Sequence, residues 1–484
     1  MSISVSRISL VWLMNNILAG ILLLLIKPIW SNSGLSEQIL AVAVISLLFM
    51  IGNALMTFQV VHKVDLFLIF IMATYLFMFS QHILVLLHLN SAQITILAGR
   101  VSAEAIYETG FFVLFSIVLL NIGYLISENA HIQRHVLLLD DKEYSEISRN
   151  SLYYAGVVVY AIALIPTVYV LVRNIVLTAT VGYAARVLDA AYQTSGVTNL
   201  PAIISTYMQP ALISLLIARK PGQKWPVVAI AVYLVLYVLS GSRITAFVLL
   251  IGVLFIQTRL FIKLNFKKCI RIIAFIFVIL VAFSVVSVVR SGHTSSLGSA
   301  IVEALTDSNP VISGFEEAGY TFATTATVLD NCPEPEPYQN GLSYISGVTY
   351  ILPNFMTGNY FNRIPSTDST FKNYLNIYGG IGSSYIAEAY WNFGYWGLLL
   401  MLLFGVFLRR MGNRIDRAIS QKDYGKIYLV MFVFITIIFY VRSDTRTFFR
   451  NFVWFGLPIY LLYKQFYLGM VNREKSKAFF CGKH

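Results

Sequence analysis

The sequence predicts an all-α, polytopic integral membrane protein, and three observations predict it. Apolar residues make up 57 % of the 484-residue chain and charged residues only 12 %, about half the ~25 % of a soluble domain. The mean hydropathy is +0.72. The apolar residues fall in runs of roughly twenty, long enough to cross a hydrocarbon core about 30 Å thick as helices, and the alternation of a transmembrane barrel is absent. This balance excludes a soluble enzyme, a disordered chain and a nucleic-acid-binding module. The net charge of +12 suits cytoplasmic membrane loops.

Hydropathy places about twelve transmembrane helices, over 8–27, 36–58, 64–88, 104–126, 151–174, 200–218, 225–240, 244–261, 271–290, 384–408, 425–441 and 448–468. The first follows Arg7, shows no small-x-small cleavage site and reads as an uncleaved span. With the N-terminus in the cytoplasm, 24 of the 35 Lys and Arg fall in cytoplasmic segments and 11 outside. That is the bias that sets orientation in membranes, and it leaves both termini cytoplasmic. Three regions follow: 1–290 with nine spans and an outer loop at 175–199, a large outer loop at 291–383, and 384–484 with three spans and a cytoplasmic tail. A loop as long as 291–383 usually carries function. Within it, 310–329 and 341–352 read as short helices or re-entrant segments, and 332–337 as an extended Pro-Glu linker. No internal repeat of the kind many transporters carry is visible. Cys269, Cys332 and Cys481 have neither metal nor redox spacing, no His/Asp/Glu set has the spacing of a metal site, and phosphate-loop and dinucleotide fingerprints are absent.

The informative residues lie on the outer side. Nine of its eleven basic residues are Arg: Arg100, Arg173, Arg186, Arg243, Arg290, Arg363, Arg442, Arg446 and Arg450; only Lys27 and Lys372 are Lys. Topology alone does not prefer Arg, whereas its planar fork of donors matches phosphate and carboxylate oxygens. An anionic ligand is therefore expected there. Arg442, Arg446 and Arg450 are spaced so that one helix would carry all three on one face, with Asp444 off that face and free to brace one of them. The plain alternative is an interfacial turn with snorkelling arginines. Arg243 ends the turn 240–243, and Arg290 closes the ninth span; each is also readable as a boundary charge. Arg363 and Lys372 in the large loop, and Arg186 in the other outer loop, are ligand contacts or solvated charges.

Among acids, Glu388 stands at the start of the tenth span, where an ionisable residue is costly and functional by default; an ion pair with a neighbouring Arg is the alternative. Glu316 and Glu317 are adjacent, so at most one faces a site. His293 is the only histidine of the large loop. Tyrosines including Tyr320 and Tyr385 suit sugar faces or a membrane interface, and Trp391 and Trp396 read as interface belt.

In order and spacing these blocks resemble the Wzy-type polymerases of O-antigen, capsule and enterobacterial common antigen. The matching parts are the 240–243 turn between two spans, the large loop opening with Arg290, Phe315-Glu316-Glu317 within it, 344–363 with Pro353 before Arg363, the 379–397 run and the late 442–450 turn. The resemblance covers roughly 175–455, and the first four spans carry none of it. It implies an architecture similar to the GT-C-like glycosyltransferases that use lipid-linked donors, in the bacterial inner membrane with the active site facing the periplasm. It implies transfer of a growing glycan from undecaprenyl pyrophosphate to a sugar hydroxyl of an incoming carrier-linked repeat unit, with no metal and no cofactor. Expected partners are the lipid-linked oligosaccharides, membrane lipids, a chain-length regulator and a repeat-unit flippase. Arg243, Arg290, Arg442, Arg446 and Arg450 would bind the pyrophosphate, and Arg186, Arg363, Lys372, Tyr320 and Tyr385 the sugars. The base would be Glu388 first, then Glu317 or His293. An O-antigen ligase acting on lipid A core, and a flippase of lipid-linked sugars, are the competing readings.

Overall fold

The computed structural model describes residues 6–61, 64–89, 97, 99–127, 141–180, 200–240, 243–261, 310–352, 366–375 and 382–481. All regular structure among them is helical. Seven helical segments are long and apolar enough to cross a membrane: Arg7–Trp30, Leu35–Val61, Leu66–Leu86, Ala103–Ile126, Tyr144–Thr178, Leu200–Ala218 and Tyr385–Ser420. They coincide with the first six predicted spans and the tenth. The seventh, eighth and eleventh predicted spans are apolar helices of fewer than 18 residues, Trp225–Leu239, Thr245–Leu260 and Tyr424–Tyr440. The ninth lies outside the described residues.

The chain divides into two compact units. The first comprises 1–131, 312–414 and 437–450, and the second 132–311, 415–436 and 451–484. The first unit begins with α1 (Arg7–Trp30), α2 (Leu35–Val61), α3 (Leu66–Leu86) and α4 (Ala103–Ile126). Ser6, Asp65 and Ser102 cap α1, α3 and α4 by accepting a backbone N–H of the first turn. A buried amide cluster joins these four helices: Asn121 Nδ2 donates to Asn16 Oδ1 at 2.7 Å and to Asn53 Oδ1 at 2.6 Å, and Asn53 Nδ2 donates to the Tyr75 hydroxyl at 2.6 Å. Such interhelical bonds hold membrane helices together where apolar burial cannot.

The described residues of the large loop from 312 on belong to this same unit. Its helices are α10 (Pro310–Ala318), α11 (Tyr320–Asn331), α12 (Leu342–Thr349) and α13 (Thr367–Phe371), so the predicted helical stretches 310–329 and 341–352 are helical. Helix α11 packs against α3 and α4, and its residues Thr321, Phe322, Thr324–Leu329 are buried. Its Thr325 and Thr327 hydroxyls donate to the carbonyls of Thr321 and Ala323 at 3.0 and 2.8 Å, which lets them sit in an apolar core. The carbonyls at the end of α10 are satisfied by α3: Ser80 Oγ donates to Phe315 O at 2.6 Å and Gln81 Nε2 to Glu316 O at 2.8 Å.

The tenth span is broken. Helix α14 (Tyr385–Phe393), capped by Ser384, ends at a 3-10 turn, Gly394–Trp396, and α15 (Gly397–Ser420) follows. Gly394 has φ 55°, and a Cβ there would meet the Tyr338 hydroxyl at 2.8 Å, so the break needs glycine for two reasons. Trp391 is buried in α14 at 1 % exposure, while Trp396 at the turn is 76 % exposed. Only Trp396 therefore fits the interface position predicted for both. Gly405 of α15 and Gly123 of α4 make a backbone-to-backbone crossing, because a Cβ on either would strike Leu120 O or Leu402 O. The unit closes with the end of α16 (Tyr424–Tyr440) and with α17 (Thr445–Arg450).

The second unit is organised around α5 (Asp141–Thr180), 40 residues with Pro166 inside. Against it pack α6 (Leu200–Ser205), α7 (Met208–Ala218), α8 (Trp225–Leu239) and α18 (Leu457–Cys481). Helix α9 (Arg243–Leu260) packs on α8, and a π-helical turn, Asn451–Gly456, leads into α18.

Candidate functional site: a buried carboxylate beneath an arginine turn

Glu388 lies in α14, 2 % exposed, and its partners come from far along the chain. Its Oε2 accepts from Thr445 N at 2.9 Å, Thr445 Oγ1 at 2.8 Å and the Tyr440 hydroxyl at 3.2 Å. Its Oε1 accepts from Ser343 Oγ at 2.9 Å. Asn392, one turn along α14, donates to Ser343 Oγ at 2.7 Å and accepts Gly341 N at 2.9 Å. Gly341 has φ +88°, which only glycine adopts readily. One carboxylate thus fastens three pieces: α14, the start of α12, and the turn between α16 and α17. Four donors make burial of an acid tolerable where a bare one would be costly.

The arginine turn sits on that anchor. Helix α16 ends at Tyr440, and Asp444 starts α17 by accepting Thr447 N at 3.0 Å and Thr447 Oγ1 at 2.7 Å. The stretch 442–450 is therefore not one continuous helix. Arg446 and Arg450 share a face, while Arg442 lies in the turn before it. There the Arg442 side chain passes over Gly382, where a Cβ would meet its Cγ and Nε at 3.3 Å. The guanidinium groups of Arg446 and Arg450 lie 5.5 and 5.8 Å from the centre of the same ring, Tyr350. Arg446 Nη2 also donates to Ser346 Oγ at 3.3 Å. Helix α12 is pressed onto α17 because Gly347 has no side chain: a Cβ there would approach Thr445 Cγ2 to 2.7 Å. Two like charges beside one ring repel each other and are each attracted to it. Arg450 is exposed and has no carboxylate within ion-pair distance among the described residues. The Ser443 hydroxyl is buried with no partner among the described residues.

The other predicted residues are placed as follows. Tyr385 is buried, with its hydroxyl 3.1 Å from Thr74 Oγ1 and its ring 5.9 Å from that of Tyr440. It belongs to the packing beneath Glu388, not to an open surface. Tyr320 opens α11 and is half-buried; Lys372 follows α13 and is half-buried. Arg100 donates to the carbonyl of Leu375, and Lys27 pairs with Glu108 at 2.6 Å. Arg243 is the first residue of α9 and Glu317 lies in α10, with their side chains outside the described ones; Arg186, Arg290, His293 and Arg363 lie outside the described residues. Burial raises the pKa of Glu316 above its ordinary value. Among the described residues no three His, Cys, Asp or Glu side chains converge as a metal site.

Ser343, Ser346, Thr445, Tyr440 and Ser443 carry no local signal in the sequence. Tyr350 stands out there only as one of many aromatics in the large loop. What ties them to Glu388 and the arginines is contact between segments up to about a hundred residues apart, which no local pattern encodes.

Compared with known families, residues 12–475 match the family model of the O-antigen polysaccharide polymerase Wzy. Neither a curated protein nor a solved structure matches the chain.

Proposed function

The chain belongs to the O-antigen polysaccharide polymerase family Wzy, an integral-membrane family of glycosyltransferase type, and from that membership we propose its reaction and site. It transfers a growing glycan from undecaprenyl pyrophosphate to a sugar hydroxyl of an incoming lipid-linked repeat unit, on the outer side of the bacterial inner membrane. The bond between the anomeric carbon and the pyrophosphate oxygen breaks, a glycosidic bond to the acceptor oxygen forms, and undecaprenyl pyrophosphate leaves. The acceptor proton passes to a base.

The observation that carries this reading is the pair Arg446 and Arg450 on Tyr350, held above Glu388. A leaving pyrophosphate gains negative charge in the transition state. Two guanidinium forks already oriented by a ring and a hydroxyl stabilise it without reorganising. Arg442 and the Ser443 hydroxyl, which has no partner among the described residues, stand in the turn just before and are proposed as further donors. Arg243 and Arg290 keep their assignment to the pyrophosphate, and Arg186, Arg363, Lys372 and Tyr320 theirs to the sugars, on the sequence pattern alone; each is tested singly. No metal is expected, because arginines supply the positive charge.

Glu388 is assigned to positioning instead of the base role read first from the sequence. Its oxygens already take four donors and it is 2 % exposed, whereas a base needs a lone pair open to substrate. Glu317 or His293 then takes the proton. The family match favours neither the ligase nor the flippase reading.

The test uses purified protein in detergent with the host's undecaprenyl-pyrophosphate-linked repeat unit and EDTA, resolved on a gel. A ladder of regularly spaced bands is expected. Transfer only to added lipid A core, or no ladder with host substrate, contradicts the reading.

A further inference from the structure

Helices α1–α4 carry seven side-chain amides, and one of them is an exception. Asn16, Gln38, Asn53, Gln59, Gln81 and Asn121 each take part in a side-chain hydrogen bond. Asn15 makes none among the described residues, and it is exposed on a helix that reads as a membrane span. It stands about 12 Å along the helix axis from Arg7, the first residue of α1. From that depth its short side chain does not reach the interface. An amide left bare in hydrocarbon is costly, so another element in the membrane must take its hydrogen bonds. The inward side of α1 does not supply one: there Ser9, Asn16 and Leu23 are buried, and Asn16 is the residue bonded to Asn121.

The residues in line with Asn15 narrow its partner. Val11, Asn15, Leu18, Leu22, Leu25 and Ile29 follow one another at steps of four, three, four, three and four, the seam of a heptad repeat. The five apolar ones are 46–69 % exposed, and the seam runs about 27 Å, most of a hydrocarbon core. Exposure alone does not single it out, because Leu10, Met14 and Ile17 beside it are also exposed; Asn15 does. In such a seam one asparagine among aliphatic residues fixes a parallel pair in register, because an amide is both donor and acceptor and complements its own copy. Copies of one chain insert in the same orientation, so two α1 helices run parallel, and a two-fold axis between them sets each residue against itself. We propose that this seam is the interface with a second copy of the chain, in which each Asn15 amide N–H donates to the Asn15 carbonyl oxygen of the partner subunit. Aliphatic side chains gain little by leaving lipid for each other, so the amide pair supplies the specificity. The pairing involves none of the residues assigned to the reaction.

The test uses the purified full chain, one fluorophore per copy, in liposomes of falling protein-to-lipid ratio, with photobleaching steps counted. Wild type should bleach in two steps at ratios where Asn15→Leu bleaches in one, a dissociation constant about tenfold weaker, the scale of one interhelical amide bond in a membrane. Asn15→Gln keeps the amide and should pair nearly as wild type. A second measurement leaves Asn15 in place. In a Cys269→Ala, Cys332→Ala, Cys481→Ala background, Leu25→Cys lies on the seam and should form a crosslinked dimer on oxidation with copper phenanthroline. Leu24→Cys, as exposed but turned away from the seam, should not. Single steps from wild type at every ratio would leave the face to lipid and overturn the proposal. So would pairing that Asn15→Leu does not weaken, or crosslinking through Leu24→Cys and not Leu25→Cys, since either puts the contact elsewhere.

Discussion

The two ends of helix α16 hold two buried acids in opposite ways. At its start Asp423, 5 % exposed, accepts Lys426 N at 3.0 Å as a helix cap and pairs with Lys426 Nζ at 3.0 Å; the Tyr144 hydroxyl adds a bond at 3.3 Å. Its charge is answered on the spot, one turn away. At its end Tyr440 donates to Glu388, whose other donors are hydroxyls and a backbone N–H. There Arg446 and Arg450 lie against the Tyr350 ring, and Arg446 also bonds Ser346. Arg259, which pairs with Asp416, follows the pattern of the first end. A charge cancelled on the spot has little left for a ligand, whereas the exposed Arg450, with no carboxylate within ion-pair distance among the described residues, keeps more of its field. The contrast separates a structural corner from the one proposed to bind the pyrophosphate.

The largest effect that tests this contrast is on Glu388. Glu388→Ala strands four donors in a buried site and should cost about 3 kcal/mol or more. Polymerisation should fall below one hundredth even in the fraction that remains folded, because the arginine turn loses its seat. Glu388→Gln keeps an acceptor for the three Oε2 donors and should retain most activity; loss equal to Ala would return Glu388 to the base role. Asp423→Ala loses a cap and an exposed-side pair, about 1–2 kcal/mol, and activity per folded molecule should stay near wild type. Denaturation midpoints together with gel ladders read all three.

Next in size is Arg446. Arg446→Ala should lower kcat by about two orders of magnitude, the usual scale for one preorganised donor. Arg446→Lys should recover little, since an ammonium cannot present a fork. A smaller change is expected at the ring: Tyr350→Leu should reduce activity several-fold, and Tyr350→Phe should be near neutral, because the face and not the hydroxyl meets the guanidinium groups. The smallest lies outside both corners. Burial, reinforced by Glu336, pushes the Cys332 thiol up to about 12, so it stays protonated through neutral pH and only loses its proton as pH nears that value. In a Cys269→Ser, Cys481→Ser background, maleimide labelling of native protein should stay slow to about pH 9 and become fast on unfolding.

Hydropathy made the membrane-spanning helices legible because lipid imposes one length and one composition on each. It missed the break at Gly394, since Tyr395, Trp396 and the leucines after Gly397 keep the run apolar while the backbone turns. The arginine row was legible as residue type and spacing. Its geometry was not, because Asp444 caps a new helix after Arg442 and leaves only Arg446 and Arg450 on one face. Glu388 was legible as a costly charge at the start of a span. Its partners were not, because Ser343, Tyr440 and Thr445 reach it only through the fold.

The central claim is that the Arg446–Arg450 pair binds the donor pyrophosphate, and the most direct measurement is affinity for the leaving group itself. Undecaprenyl pyrophosphate is titrated calorimetrically into detergent-solubilised wild type and into Arg446→Ala,Arg450→Ala protein of matched thermal stability, with undecaprenol as the control lacking the anion. The account predicts about a hundredfold weaker binding of the pyrophosphate by the double variant, with undecaprenol bound alike by both proteins. Equal pyrophosphate affinity in the two would contradict it.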